Sequence, residues 1–183
     1  MKTDEQITNH FNNLILDELK DFDCWVVGGS ILSYIDDRRI GDIDIYFRNE
    51  LEREKCFDYL TSNNAIISSD NVNTTRVLYK NKTIDLLKFY HKTPQECADD
   101  CDFSVCGIST DGVSVYKTSN FYDDWRKKSL VYNNFHSAPQ QLHRMQKYLM
   151  RGYRMDRKET LKLVNKLREC TEEEIHNYLV LRI

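Results

Sequence analysis

The stretch from Trp25 to Phe47 constrains this chain more than any other. Trp-Val-Val runs into Gly28-Gly29-Ser30, and after a short connection comes Asp42-Ile43-Asp44-Ile45-Tyr46-Phe47. Side chains alternate along a strand, so Asp42 and Asp44 share one face while the isoleucines share the other. Two carboxylates that close in a half-buried place are costly unless a cation answers them. The Gly-Gly-Ser turn lets backbone approach a phosphate, because glycine has no Cβ in the way. A phosphate cradle followed by paired carboxylates is the smallest set of parts for metal-assisted phosphoryl or nucleotidyl transfer. Each part also has a plainer reading: an exposed strand edge for the acids, an ordinary tight turn for the glycines, a helix cap for Ser30.

Composition narrows the class. A chain of 183 residues with 40% hydrophobic side chains can bury a real core as one domain, or as one domain with a small appendage. It contains no apolar run long enough to span a bilayer, and its polar first residues carry no secretion signal, so a cytoplasmic protein without membrane contact is expected. Net charge is −3, so any nucleic-acid contact must come from a local basic patch. The six cysteines, at 24, 56, 97, 101, 106 and 170, are scattered and are expected to be reduced thiols. Cys97, Cys101 and Cys106 cluster, but their gaps are not those of paired zinc ligands, which favours small buried residues over a zinc site.

Periodicity predicts an α+β chain: a small mixed or antiparallel sheet with flanking helices, followed by a short helical C-terminal part. Ile7, Phe11, Leu14, Ile15 and Leu19 mark an opening amphipathic helix. A buried strand at 24–28, a helix from Ser30 to Ile35, a strand at 42–47 and a helix from Glu50 to Thr61 follow. Strand signals then crowd at 65–68, 75–80 and 83–90, the last two joined through Asn81-Lys82. A hairpin of 102–109 and 113–116 is expected across Thr110-Asp111-Gly112. Helices are expected at 121–128, at 140–151 (closed by Gly152), at 157–168 and at 171–181. The domain expectation is 1–117 for the sheet and 118–183 for a helical, neck-like region.

A third acid, Asp85, lies in the apolar run Thr83-Ile84-Asp85-Leu86-Leu87. Three acids on neighbouring strands can hold two Mg²⁺ ions about 3.5–4 Å apart; Mn²⁺ would suit the same oxygens. With these residues in place, the sequence resembles the polymerase-beta-type nucleotidyltransferase superfamily. It is most similar to the head and neck of class II CCA-adding enzymes and bacterial poly(A) polymerases, over about residues 22–155. The spacing from Gly28 to Asp44 follows that family's first motif. The resemblance places Arg38 on a family arginine, and Asp42, Asp44 and Asp85 on the metal-binding, catalytic acids. Asp102-Phe103-Ser104-Val105 resembles a later family segment, and Arg144, Lys147, Tyr148, Gly152 and Tyr153 resemble a helix of the neck.

The resemblance implies transfer of a nucleoside monophosphate from an NTP to an acceptor hydroxyl, with an RNA 3′ end as the leading acceptor. It implies that Gly28, Gly29, Ser30, Arg38, Asp102, Arg144 and Lys147 contact the nucleotide. Departures stand beside it. Leu32 and Ser33 replace an Arg-Asp pair, Asp100 and Cys101 replace two arginines, and Ser137, Ala138 and Gln141 replace the residues that template ATP and CTP. A protein or small-molecule acceptor therefore stays open. So does a catalytically weak nucleotide- or RNA-binding module, or a subunit completed by a second chain. Arg144, Lys147 and Arg151, spaced three and four apart, share a helix face that could grip phosphates. The base used, the number of nucleotides added and the oligomeric state are not written in the residues.

Overall fold

The computed structural model describes residues 2–174. The chain forms two compact units, Met1–Asp100 with Cys106–Thr118, and Cys101–Val105 with Ser119–Ile183.

The first unit is built on a seven-stranded sheet in the order β3-β4-β5-β2-β1-β6-β7. Its strands are β1 (Cys24–Val27), β2 (Asp42–Phe47), β3 (Ile66–Asp70), β4 (Thr74–Tyr79), β5 (Lys82–Tyr90), β6 (Ile108–Thr110) and β7 (Val115–Lys117). Every neighbouring pair is antiparallel except β2 and β5, which run parallel. The α+β expectation with a mixed, mostly antiparallel sheet is therefore what the chain adopts.

In β2 the alternation is clean: Ile43, Ile45 and Phe47 are buried, while Asp42, Asp44 and Tyr46 are half-buried on the opposite face. The apolar face carries the core, with Val26, Val77, Ile84 and Leu86 beside those residues. Helix α3 (Glu50–Ser62) packs there and buries Cys56 and Leu60. The opening helix α1 (Asp4–Phe11) starts with a Thr3–Gln6 capping box. It continues into a wider π turn over Asn12–Leu16, so that Ile7, Phe11, Ile15, Leu16 and Leu19 are all buried.

β1 is buried on both faces. The second cover is helix α4 (Pro94–Asp99), against which the Trp25 indole N–H donates to Cys97 Sγ at 2.7 Å. The periodicity did not predict this helix. Its signature is nonetheless present: Thr93 accepts from the Glu96 N–H as N-cap, and Pro94 takes the first turn.

Two expected strand boundaries change. The strand expected at 102–109 shrinks to β6, because Ser104–Cys106 tightens into a 3₁₀ turn and Phe103 makes only an isolated bridge to Tyr132. The following turn takes in Asp111–Ser114, where Asp111 Oδ1 accepts from the Val113 and Ser114 N–H groups and Gly112 adopts φ 87°. The hairpin between β4 and β5 turns at Lys80-Asn81, not Asn81-Lys82. Both turn residues have positive φ (47° and 62°), the primed turn that matches strand twist.

The second unit carries helices α5 (Phe121–Lys127), α6 (Ala138–Leu149) and α7 (Arg157–Glu169). Gly152, at φ 89°, closes the end of α6. Its N–H reaches the Leu149 carbonyl, and the Tyr153 N–H reaches that of Tyr148. Tyr148 is buried against Phe103 and Tyr153, with ring centroids 5.7 and 6.0 Å away. The helix expected at 171–181 opens with a Thr171–Glu174 capping box, and the rest of it lies outside the described residues.

No helix among the described residues is long and apolar enough to cross a membrane. None of the six cysteines is joined in a disulfide, and among the described residues no three His, Cys, Asp or Glu side chains are grouped to hold a metal as they stand. Burial pushes the Cys56 and Cys97 thiols up to about 12. Since the thiolate is the nucleophile, native protein treated with iodoacetamide at pH 8 should be alkylated first at Cys101 and Cys170, which are partly exposed. Peptide mass mapping should find Cys56 and Cys97 modified only after denaturation.

Candidate active site

The acids are brought together by strand register. β2 and β5 pair in parallel with Asp42 opposite Thr83 and Asp44 opposite Asp85. On the far side of β5, β4 places Arg76 directly opposite Asp85. One row across the sheet therefore reads Asp44, Asp85, Arg76, with Asp42 two residues along on the same face. Adjacent strands are about 4.8 Å apart, and like charges at that spacing repel.

The guanidinium of Arg76 answers that repulsion. Its Nε donates to Asp85 Oδ1 and its Nη2 to Asp85 Oδ2, both at 2.7 Å, and Nη2 also lies 3.4 Å from Asp42 Oδ2. This is the two-pronged arginine–carboxylate geometry that adds direction to strength. The hydrogen bonds to Asp85, with the charges of Asp42 and Asp44 behind them, hold Arg76 protonated even more firmly than an ordinary arginine. The Asp85 side chain is only 8% exposed, against 45% for Asp42 and 42% for Arg76. The carboxylate least able to rely on water is thus the one gripped on both oxygens. Sequence reasoning named the three acids and missed Arg76.

The glycine turn adjoins the acids. Antiparallel pairing of Cys24 with Phe47 and of Val26 with Ile45 runs the C-terminal end of β1 toward the end of β2 that bears Asp44 and Asp42. Gly28 sits there at φ 76° and ψ −122°, a region open to glycine but strained for other residues. Its N–H is tied to the Ile108 carbonyl at 2.8 Å. Helix α2 (Gly29–Ile35) leaves the turn. Ser30 Oγ is buried there and has no hydrogen-bond partner among the described residues, and a buried hydroxyl of that kind suits a phosphate oxygen.

The departures from the resemblance acquire local reasons. Leu32 is fully buried, and the Ser33 hydroxyl donates to the Gly29 carbonyl at 2.8 Å, so both positions serve the packing of α2. Arg38 is exposed on the connection between α2 and β2, its N–H on the Ser33 carbonyl. Asp100 faces the His91 ring at 3.2 Å.

The remaining nominated residues belong to the second unit. Asp102 is buried, its carboxylate accepts from Arg144 Nη1, and its carbonyl accepts from the Asn133 N–H at 2.8 Å. Lys147 is exposed on α6. Gln141 is fully buried and donates to the Asn134 carbonyl at 2.9 Å, so its role is to fix the start of α6. Arg151 lies over the Tyr148 ring, 5.5 Å from its centroid.

The sequence profile described as "Gabija anti-defense 2 family protein" matches residues 1–128. The chain belongs to that family. A relative called "Gabija anti-defense 2", from Bacillus phage SPbetaL7, is 25% identical over 158 residues. The match covers 82% of this chain and 38% of the relative, so the chain spans about two fifths of that protein's length.

Among solved structures, the Bacillus stearothermophilus CCA-adding enzyme in complex with CTP superposes with a TM-score of 0.63 at 17% identity, covering 98% of this chain and 48% of that one. The Thermotoga maritima CCA-adding enzyme complexed with tRNA gives 0.63 at 17%, over 97% and 47%. A tRNA-processing enzyme in its apo form gives 0.66 at 14%, over 99% and 53%. These likenesses show the fold, one shared with CCA-adding enzymes, and agree with the fold expected from the motifs.

The Asp102–Arg144 pair gives a direct stability test. Replacing Arg144 by Met should lower unfolding stability in urea by about 1–3 kcal/mol, because a buried carboxylate loses its charged partner. The lower part of that range is expected, since the Arg144 side chain is itself 44% exposed.

Proposed function

We propose that this protein is a divalent-metal-dependent nucleotidyltransferase that moves a nucleoside monophosphate from an NTP to an acceptor hydroxyl and releases pyrophosphate. The observation that carries this reading is the register of Asp44 against Asp85 on adjoining strands, with Asp42 on the same face and the Gly28-Gly29-Ser30 turn at the same end of β2. A module that only bound nucleotides would have no need to gather three mutually repelling acids.

The donor set fits Mg²⁺ or Mn²⁺, since all three side chains offer carboxylate oxygens. Asp42 and Asp44 would hold the ions together, and Asp85 would join them once released from Arg76. Bound there, divalent ions would supply the positive charge that the triphosphate and the departing pyrophosphate require. The chain's own residues would do the rest. The Gly28-Gly29 backbone would lie close against the phosphates, and the Ser30 hydroxyl would donate to one of their oxygens. Arg38 is proposed as a supporting cation there; within the second unit, Arg144 and Lys147 are proposed as nucleotide-binding residues in their own right, with Asp102 as the group that fixes Arg144.

Two acceptor classes follow from two different observations. The fold shared with CCA-adding enzymes favours an RNA 3′ end. The family description, which names action against a defence called Gabija, favours a hydroxyl on a component of that defence, with the nucleotide as a covalent mark. Buried Leu32 and Gln141, standing where the CCA-adding motifs carry polar nucleotide contacts, weigh toward the second. Each α-labelled NTP should be incubated with Mg²⁺, the protein, total RNA and a lysate of Gabija-bearing cells, and the label separated into RNA and protein fractions. Label that needs the protein and Mg²⁺ supports nucleotidyl transfer, and its fraction names the acceptor class. The Asp44→Asn variant should lose at least about a hundredfold of that activity while keeping its circular dichroism spectrum. Full activity in that variant would overturn the reading.

A further inference from the structure

The two oxygens of Asp85 that a metal would need are already taken by Arg76, and no group of three acidic, His or Cys side chains among the described residues stands ready for a metal. We propose that Arg76 is a built-in counter-cation that competes with divalent metal for Asp85, so that the complete metal site forms only when the guanidinium lets go. The proposal rests on the metal-site reading above and deepens it: it names the residue that sets how readily metal enters.

Three observations support it. The grip is two-pronged and specified by the fold, because Arg76 and Asp85 are directly opposed in the β4–β5 ladder on either side of a two-residue turn. It reaches beyond Asp85, since the same Nη2 also lies 3.4 Å from Asp42. The competitor has somewhere to go: the Arg76 side chain is 42% exposed, whereas that of Asp85 is 8% exposed. A swing of the arginine into water leaves Asp85 a buried anion, a state that is stable only if another cation takes its place. Arginine and metal therefore exchange at Asp85, and neither leaves it bare. A released guanidinium beside a bound triphosphate would also be placed to pair with its oxygens. Arg76 is a positioning residue in this account, acting on the reaction through Asp85.

The test is Mn²⁺ binding to the full-length protein, followed by electron paramagnetic resonance, with no nucleotide and then with a non-hydrolysable ATP analogue. Arg76→Gln should bind Mn²⁺ at least about tenfold more tightly than the unaltered protein, the loss of a charged hydrogen-bond pair from the competing state. The double variant Arg76→Gln with Asp85→Asn should lose that gain. In chelator, Arg76→Gln should melt at a lower temperature than the parent, and saturating Mn²⁺ should raise its melting temperature by more. If glutamine prevents folding, Arg76→Lys keeps the charge and loses the fork, and it too should bind Mn²⁺ more tightly than arginine. Measurable binding of equal strength in parent and variants would overturn the competition while leaving the metal site standing. Absence of Mn²⁺ binding in every form, with and without nucleotide, would overturn the metal site and the competition together.

Discussion

Carboxylates placed side by side in a sheet repel, and the cost of that repulsion grows as water is withdrawn. Asp42, Asp44 and Asp85 are gathered in this way, and the structure around them can be understood as the means of tolerating it. The parallel pairing of β2 with β5 sets Asp44 next to Asp85. Antiparallel β4 brings Arg76 to the same row. The apolar residues on the reverse of each strand, Ile43, Ile45, Ile84 and Leu86, anchor the sheet on its core, so the acids cannot turn away without unpacking it. A place that must hold a cation has been fixed by burial on the other side of the sheet.

The fold is shared with CCA-adding enzymes, while the family is described by action against a defence. Fold similarity at this identity carries the scaffold and not the acceptor. The positions that depart from the CCA-adding motifs have structural roles here: Leu32 and Ser33 pack and bond within α2, and Gln141 fixes the start of α6.

Much of this could be read from the residues. The Asp-Ile-Asp alternation forces a two-faced strand, Gly28 stands where the backbone needs positive φ, and Asp85 is conspicuous as a charge in an apolar run. Arg76 escaped notice because its meaning is non-local. Placing the turn at Asn81-Lys82 sets Arg76 opposite Leu87, whereas the true turn at Lys80-Asn81 sets it opposite Asp85. A shift of one residue in a turn thus hides the cation. Helix α4 was legible in principle, from Thr93-Pro94 and Glu96, but at 6 residues it is too short for apolar periodicity to register. The expected strand from 102 failed because Phe103 and Ser104 answer to partners far along the chain, Tyr132 and Asp124, which short-range periodicity does not register.

The central claim is that these three acids form a cation site and that arginine and metal take turns at Asp85. Crystals grown with Mn²⁺ and a non-hydrolysable NTP, measured at the manganese absorption edge, address it directly. The account predicts an anomalous peak coordinated by Asp42, Asp44 and Asp85, with the Arg76 guanidinium withdrawn from Asp85. A structure with nucleotide bound, no peak at these acids and Arg76 still holding both oxygens of Asp85 would contradict it.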